Sequence, residues 1–454
     1  MPKKNEKFEL KNHKLGKGIK LKNIETLGVG LMTYSLFLGA GNIIYPPMLG
    51  IESGESFSFA ILGFLITSVG LPAAALLIMS KFSSEKMLTS IISPKLAVIF
   101  WGCLYLVIGP AFGMPRAVNV AYEMGVEHLF DSIGLTEFSV VFLLVVILFC
   151  FWSESLVSVI GKVITPLIVI MIFVFTLYAI SNPADSIVAP SGKFEANPLV
   201  TGLLEGYMTM DVLAAIGFGI IILNRIREYH SVNERGYRSA VMCSIVIYIT
   251  LMSFTYVSLA YIGQSSNSIL KDISNGADVL TQYSEYSLGN YGRLVFSLII
   301  LLACFTTLVG LATSCGQFVS KEWGGNYRVV VVSVIIMSYL PANFGLNNII
   351  AFSLPVILTL CPVAIILLVG HVFGEKTQNM RTSALILLGT LLAFLDTANI
   401  LGYLTNDNLV EKLERYNPLF SYHLSWLFPV AIYSLMMLVR HVLPESKKKL
   451  GLAS

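Results

Sequence analysis

The sequence predicts an all-α polytopic membrane protein with twelve transmembrane helices. Charged residues make up only 13% of the 454 residues and hydrophobic residues 55%, whereas soluble domains carry roughly 25% charged residues. A soluble protein of this size would need charge to cover its surface, so most of this chain must face a bilayer. Apolar stretches of spanning length and an uneven distribution of Lys and Arg between the loops favour the same fold class.

Stretches of about 20 apolar residues mark the candidate spans. We place them at 26–50, 57–80, 96–120, 138–155, 156–181, 203–224, 238–263, 290–320, 327–342, 346–371, 381–401 and 422–443. The fourth and fifth stretches nearly fuse and the ninth is short, so hydropathy alone also allows eleven or thirteen spans.

The distribution of positive charge favours twelve spans and sets their orientation. With twelve spans, most of the 30 Lys and Arg residues fall on the side of the N-terminus, including those of the Lys-rich tail at residues 1–25. The exceptions are Lys193, Lys271, Arg293, Lys412 and Arg415 in outer loops and Arg116 within a span. One span more or fewer would invert every later loop and destroy this asymmetry. The positive-inside rule therefore predicts that both termini, including the tail at 444–454, are cytoplasmic.

Composition argues against several other functions. The net charge of +3 comes without a basic patch interleaved with aromatic residues, so we expect no nucleic-acid partner. The six cysteines fall in or beside apolar stretches, where they behave as small hydrophobes, and we expect no disulfide and no cofactor. The histidines lie in loops, tails or span ends, and acids within spans are nearly limited to Glu205, Asp211 and Asp396. Without clustered catalytic groups or an HExxH motif, we do not expect an enzyme.

The first and sixth spans contain residues that interrupt helices. In the first, Gly39, Ala40 and Gly41 are small, Asn42 is polar, and prolines follow at 46–47. A lipid-facing helix cannot leave its backbone unbonded, so this segment is expected to unwind beside a cavity near mid-membrane. The sixth span carries EGYMTMD at residues 205–211 and two further glycines.

Asp211 is the most unusual of these residues. It lies about 12 Å past the start of its span, where a carboxylate costs on the order of 2.5–3.5 kcal/mol. An acid at that depth is a functional candidate, but it could also form a structural pair with Arg116, the one arginine within a span. Both readings remain open and do not exclude each other.

Spans one and six occupy equivalent positions if the first ten spans form two repeats of five, at 26–181 and 203–371. Two repeats of five spans must have opposite topology, and spans at 381–443 are then additional. Interrupted helices at matching repeat positions indicate a substrate site near the bilayer midplane of a secondary transporter. In span eight, Thr306 and Thr307 could back-bond to their own helix or, with carbonyls freed in span one, supply hard oxygen ligands to sodium.

Three motifs carry a family resemblance. They are FLGAGNIIYPP at residues 37–47, IGPAFGMPR at 108–116 and EGYMTMD at 205–211. Together with Thr306-Thr307 they resemble the bacterial branched-chain amino acid:cation symporters, the BrnQ (LIVCS) family, over essentially the whole membrane region. The resemblance implies a leucine-transporter-like fold of five plus five inverted helices with two more at the C-terminus. It also implies import of L-leucine, L-isoleucine and L-valine through the bacterial inner membrane, driven by sodium or protons.

The resemblance also implies roles for individual residues. The substrate would be bound by Phe37, Gly39, Ala40, Gly41, Asn42, Tyr207, Met208 and Asp211. Sodium, as the coupling ion, would be held by Ser35, Leu38, Thr306 and Thr307. Apart from the resemblance, the position of Arg116 within a span predicts that it is structural or gates the site. The oligomeric state and the preferred substrate are left open.

Two alternatives come from other functional classes. A membrane-embedded enzyme would need the catalytic clusters that are missing above. A channel usually carries a ring of repeated filter elements, and this chain shows none. Within the transporter class, proton coupling through Asp211 is the alternative to sodium.

Overall fold

The first span is broken, as the sequence predicts. In the computed structural model, helix α1 (Thr26–Phe37) and helix α2 (Ala40–Ser53) are separated at Leu38 and Gly39. Gly39 is extended, with φ −113° and ψ −170°, because the small residues around it give the chain little helical preference. Two prolines lie inside α2, where each removes one backbone donor from the helix.

The structure describes residues 26–437 except 128, 131, 153, 183–186, 231–233, 268, 373–379 and 405–406. The predicted tails at 1–25 and 444–454 and the end of the last predicted span lie outside the described residues. The helices after α2 are α3 (Phe57–Leu65), α4 (Leu71–Met79), α5 (Pro94–Leu106), α6 (Gly113–Gly125), α7 (Leu135–Trp152), α8 (Glu154–Ser181), α9 (Pro198–Tyr207), α10 (Asp211–His230), α11 (Glu234–Gln264), α12 (Gly276–Glu322), α13 (Tyr327–Ala342), α14 (Leu346–Val372), α15 (Met380–Ile400), α16 (Asp407–Tyr416) and α17 (Leu427–Met437). The described part of the chain contains no strand.

Seven helical segments of the described chain are long and apolar enough to cross a membrane, and five shorter apolar helices accompany them. Each of the twelve predicted spans overlaps a helix or a broken helix, but the count of twelve transmembrane helices stays a prediction. The third span is kinked at Gly109 (φ −93°, ψ −118°), between α5 and α6. The second span instead continues from α3 to α4 through a π-helical turn at Ile66–Gly70. Such turns are frequent at functional sites.

Helix α12 begins earlier than the predicted span at 290–320. Its first residue is Gly276, because Asn275 caps the helix by accepting hydrogen bonds from the Ala277 and Asp278 amides. The first part of α12, from Gly276 to the kink at Gly289 (φ +63°), is too polar to be recognised as part of a span by its hydropathy. Hydropathy therefore found the spanning part of α12 and missed its capped extension.

Glycines bring two helix pairs into close contact. Gly63 on α3 and Gly202 on α9 each face a carbonyl oxygen of the other helix so closely that a Cβ would not fit. Gly50 on α2 and Gly263 on α11 do the same. Small residues let membrane helices approach at backbone distance. The two pairs join span two to span six and span one to span seven, which are the equivalent contacts in an inverted repeat of five spans.

The broken sixth span lies at the centre of the bundle. In its most apolar window, 94% of the residues are buried inside the protein, against 33% in the window of α15. Helices α9 and α10 are thus enclosed by other helices, while α15 presents much of its surface to its surroundings. The break between α9 and α10 is therefore shielded from the bilayer, as an interrupted helix requires.

Candidate functional site

The second break lies between α9 and α10, at residues 208–210. Helix α9 ends at Tyr207, the Met210 amide donates to the Tyr207 carbonyl at 2.9 Å, and α10 begins at Asp211. Met210 has φ +63°, a left-handed conformation that residues other than glycine adopt at a cost of about 1–3 kcal/mol and that clusters at functional sites. The break therefore places Asp211 in the first turn of a new helix, where the dipole favours a negative charge.

Asn42 and Asp211 join the two breaks. The Asn42 Nδ2 atom lies 2.8 Å from both Oδ1 and Oδ2 of Asp211. On its other side, the Asn42 Oδ1 atom accepts a hydrogen bond from the Gly39 amide at 2.9 Å. Both side chains are about 2% exposed. The buried side-chain amide of Asn42 thus bonds both to the backbone at the first break and to Asp211. Asp211 is the first residue of the helix that follows the second break.

Tyr256 completes the environment of the carboxylate. Its hydroxyl donates to Asp211 Oδ2 at 2.5 Å and also contacts Asn42 Nδ2. Sequence reasoning missed this residue on α11, although a tyrosine beside Thr255 within an apolar span was a usable signal. Thr255 itself bonds to the Tyr34 hydroxyl at 2.7 Å, so α11 contacts both α1 and α10 here.

Arg116 contacts the second break and helix α2. Its Nη1 atom donates to the Met208 carbonyl at 2.8 Å and to the Tyr45 hydroxyl at 3.3 Å. The guanidinium lies over the Tyr45 ring, 5.5 Å from its centroid. Within the described residues, Arg116 forms no ion pair with Asp211 inside 4.0 Å. The structure thus shows no direct ion pair between these two described residues, because both groups have taken other hydrogen-bond partners.

The predicted sodium ligands come together only in part. Thr307 Oγ1 lies 3.3 Å from the Leu38 carbonyl at the first break and 3.1 Å from the Ala303 carbonyl. Thr306 Oγ1 back-bonds to the Ala303 carbonyl at 2.8 Å. Ser35 is buried near the end of α1, and no hydrogen bond joins it to either threonine among the described contacts. The role of these four residues stays a prediction.

The remaining predicted substrate residues are buried at the two breaks. Gly39, Ala40 and Gly41 form the N-terminal turn of α2, and Tyr207 and Met208 end α9. Phe37 packs against Phe218 and Tyr248, with ring centroids 5.2 and 4.7 Å apart. The structure therefore gathers the predicted substrate residues at two adjoining helix breaks, with an aromatic cluster beside them.

A charged cluster, which we call the Lys193 cluster, joins the helices at one end of the bundle. Lys193 Nζ lies 2.6 Å from Glu205 on α9 and 3.6 Å from Glu52 on α2. Burial lowers the pKa of Lys193, but the carboxylates of Glu205 and Glu52 outweigh it and raise that pKa to about 12. The Ser191 amide also donates to the Glu52 carbonyl at 2.8 Å. The loop before α9 therefore bridges α2 and α9.

At the opposite end, the Arg227 cluster holds α10 against the chain that follows α4. Arg227 donates to the carbonyls of Ser80 and Phe82 at 3.4 and 2.5 Å. Tyr237 donates to the same Ser80 carbonyl at 3.0 Å. Polar contacts thus connect the broken sixth span to its neighbours at both ends.

Comparisons with known proteins give consistent results. Residues 22–443 match the family described as branched-chain amino acid transport protein. The branched-chain amino acid transport system 2 carrier protein of Pseudomonas aeruginosa is 36% identical over 427 residues, covering 92% of this chain and 96% of that protein.

Two solved structures resemble the fold. Mhp1, a nucleobase-cation-symport-1 family transporter in a closed conformation with bromovinylhydantoin bound, gives a TM-score of 0.63 at 10% identity over 91% of each chain. MhsT in complex with L-phenylalanine gives 0.56 at 12% identity over 91% of this chain and 98% of that one. The predicted all-α, leucine-transporter-like fold is confirmed.

Proposed function

The chain belongs to the family of branched-chain amino acid transport proteins, and from this premise we propose that it imports leucine, isoleucine and valine. It is a multi-pass membrane transporter whose relatives are carriers and permeases rather than enzymes, as predicted. We propose a secondary active mechanism in a bacterial inner membrane, with both termini in the cytoplasm. In that orientation the Lys193 cluster faces outwards and the Arg227 cluster inwards.

The observation that carries the proposal is the contact between the two helix breaks through Asn42 and Asp211. A zwitterion that leaves water near mid-membrane needs polar groups that are already in place. The N-terminal turn of a half-helix offers free amides and the positive end of a dipole to a carboxylate. In α2 the Gly39 amide is already bonded to Asn42, so the amides of Ala40 and Gly41 are the remaining donors.

The aliphatic part of the substrate needs only an apolar pocket. Phe37, Tyr207 and Met208 are buried beside the breaks and would form its wall. The ammonium group would be met by backbone carbonyls of the breaks or by Asp211. Such a pocket discriminates one methylene by about 1–3 kcal/mol, so leucine, isoleucine and valine would share the site with modest preferences.

Transport would proceed by alternating access around this fixed site. The Lys193 cluster joins α2 to α9 at one end and the Arg227 cluster holds α10 at the other. We propose that the two clusters open in turn. Coupling arises if the cation and the amino acid each bind the occluded state more tightly than the open ones.

Sodium is the coupling ion that we propose. The hydroxyl oxygen of Thr307 and the carbonyl oxygen of Leu38 are 3.3 Å apart, and adjacent ligands of an octahedral cation with bonds of about 2.4 Å lie about 3.4 Å apart. Thr306 and the Ser35 carbonyl would complete the set after small rotations. The second candidate is a proton carried by Asp211, favoured by the burial of that carboxylate and the absence of an ion pair to it within the described chain.

Leucine uptake into proteoliposomes under separately imposed sodium and proton gradients tests this proposal. We expect accumulation with an inward sodium gradient at equal pH and none with a proton gradient in choline. Uptake that follows only the proton gradient would replace sodium by Asp211 as the carrier. Equilibration without exchange-driven accumulation would instead indicate a channel, and the absence of any leucine flux would refute the substrate assignment.

A further inference from the structure

Arg116 is a buried cation that makes no direct ion pair within the described chain. Arg116 is only 3% exposed, and no carboxylate of the described chain lies within 4.0 Å of its side-chain nitrogens. Taking a guanidinium out of water is costly unless an anion and well-placed acceptors compensate. A buried guanidinium whose only recorded acceptors are a carbonyl and a hydroxyl is therefore a candidate to bind an anion from outside the protein.

One edge of the guanidinium has no hydrogen-bond acceptor among the described residues. Arginine has five N–H donors in a planar fork, and both hydrogen bonds recorded for Arg116 in the described structure start from Nη1. Its Nε atom is buried and has no acceptor. Nε and Nη2 together form the edge with which arginine binds a carboxylate through two parallel bonds. The Met208 carbonyl and the Tyr45 hydroxyl therefore fix the group, while its Nε–Nη2 edge has no recorded acceptor in the described structure.

The Nη2 end of this edge lies against Gly41, in the first turn after the first helix break. A Cβ atom on Gly41 would be 2.6 Å from Arg116 Nη2 and 3.0 Å from its Cζ. Glycine at this position is thus what allows the guanidinium to reach the backbone of α2. The Ala40 and Gly41 amides belong to the same turn, so charge and amide donors converge on one place.

The acidic side chains nearby already have partners. Both carboxylate oxygens of Asp211 accept hydrogen bonds from Asn42 or Tyr256. Glu205 is paired with Lys193 at 2.6 Å. Neither of these two acids therefore neutralises Arg116 by direct contact.

We propose that Arg116 binds the carboxylate of the transported amino acid through its Nε–Nη2 edge, together with the amides of α2. This inference rests on the proposed function and adds to it a specificity rule. The site would require a carboxylate on its solute and would reject the corresponding amide or alcohol. Arg116 is then a substrate-binding residue and not only a structural link between the breaks.

Binding of L-leucine and L-leucinamide to the purified full-length chain tests the proposal. Leucinamide keeps the ammonium group and the side chain but carries no negative charge. We expect the wild type to bind leucine roughly 10- to 100-fold more tightly, in line with a hydrogen bond to a charged group. In Arg116→Gln, leucine should lose most of that advantage while leucinamide binding stays within about two-fold, so the affinity ratio approaches one.

Two further variants separate binding from folding. Arg328→Gln is the control, because the Arg328 guanidinium also lies over an aromatic ring, 5.8 Å from the Phe151 centroid, and belongs to neither charged cluster. It should leave the leucine-to-leucinamide ratio unchanged. If Arg116→Gln does not fold, Gly41→Ala serves instead, since its methyl group displaces the guanidinium without removing the charge, and it should lower the same ratio.

Several results would overturn the proposal. A wild type that binds leucinamide as tightly as leucine would refute it while leaving the proposed transport function standing. Equal weakening of both ligands in Arg116→Gln would assign Arg116 a purely structural role. A wild type that binds neither ligand would refute the proposed function as well.

Discussion

The side-chain amide of Asn42 lies 2.8 Å from both carboxylate oxygens of Asp211, although the two residues are 169 positions apart in the sequence. Each residue belongs to the first turn of a helix that follows a break. The contact therefore fixes two helix N-termini relative to each other. Any motion that separates the breaks must first replace these hydrogen bonds.

This contact predicts a measurable coupling energy. Truncating either partner leaves the other buried with an unsatisfied polar group, so Asn42→Ala and Asp211→Ala should each lower the stability of the folded protein. Because the bonds involve a carboxylate, the double-mutant cycle should give a coupling of about 1.5–3 kcal/mol. Reversible unfolding in detergent measures it. Asn348→Ala is the matched control, because it removes only an exposed hydrogen bond to the Phe344 carbonyl. Additive effects of Asn42→Ala and Asp211→Ala on the free energy of unfolding would show that the two side chains are not coupled.

Tyr256→Phe tests the third member of the network. Loss of its hydroxyl removes the 2.5 Å bond to Asp211, and we expect destabilisation of about 1.5–3 kcal/mol together with weaker leucine binding. Tyr248 lies on the same helix as Tyr256 and donates a neutral hydrogen bond of 3.3 Å to the Ser68 carbonyl. Tyr248→Phe should therefore lower the stability of the folded protein by about 0.5–1.5 kcal/mol. Equal losses in the two variants would show that the Asp211 contact has no special weight.

Thr307→Val tests the proposed cation site. Valine keeps the shape of threonine but cannot offer an oxygen beside the Leu38 carbonyl. The sodium concentration that gives half-maximal leucine uptake should rise at least about ten-fold, as expected for a lost ligand to a charged group. Thr313→Val, on the same helix, removes only back-bonds to the Val309 and Gly310 carbonyls and should leave the sodium dependence unchanged. An unchanged dependence in Thr307→Val would exclude this residue as a ligand.

Lys193→Met should loosen one end of the site. Lys193 is about half exposed, and exposed ion pairs contribute roughly 0.2–1 kcal/mol, so bound leucine should dissociate no more than about five-fold faster. Arg293→Met, which breaks an exposed pair with Glu285 at 3.1 Å, should leave the dissociation rate unchanged. Slower dissociation in Lys193→Met would contradict a role for this cluster in closing the site.

The same cluster predicts a pH dependence. Neighbouring carboxylates raise the pKa of Lys193 to about 12, above its ordinary value of 10.5. A raised pKa means that the stabilisation is fully present below pH 10.5 and is lost as the pH rises through 12. Leucine dissociation should therefore show no Lys193-dependent change between pH 6 and 9. A difference between wild type and Lys193→Met that varies within this range would contradict the assignment.

Local sequence signals predicted the breaks but not their contacts. The small residues at 39–41 and the EGYMTMD run at 205–211 located both interruptions, because helix weakness is a property of neighbouring residues. The bond from Tyr256 to Asp211 joins different spans, and no local pattern encodes which side chains meet across a bundle. The same holds for Lys193, which the sequence indicated only as one charge in an outer loop and which the fold places between two carboxylates.

The direct contact between Arg116 and Asp211, which the sequence left open, does not form for a related reason. Depth in the membrane indicated that the one arginine within a span could pair with Asp211, since a buried charge requires compensation. The fold instead gives Asp211 three donor contacts and gives Arg116 a carbonyl and a hydroxyl. Each charged group is thus bonded to neutral polar groups in place of a direct ion pair. The sequence alone could not distinguish between these two ways of compensating a buried charge.

Counterflow of labelled leucine tests the central claim most directly, namely that a branched-chain amino acid is bound and carried where the two helix breaks meet. Proteoliposomes loaded with unlabelled leucine and held without an ion gradient should transiently accumulate labelled leucine through the wild type. Asn42→Ala should abolish that accumulation and weaken leucine binding on the order of 10-fold or more. Accumulation and leucine affinity that remain at wild-type values in Asn42→Ala would contradict this placement of the site.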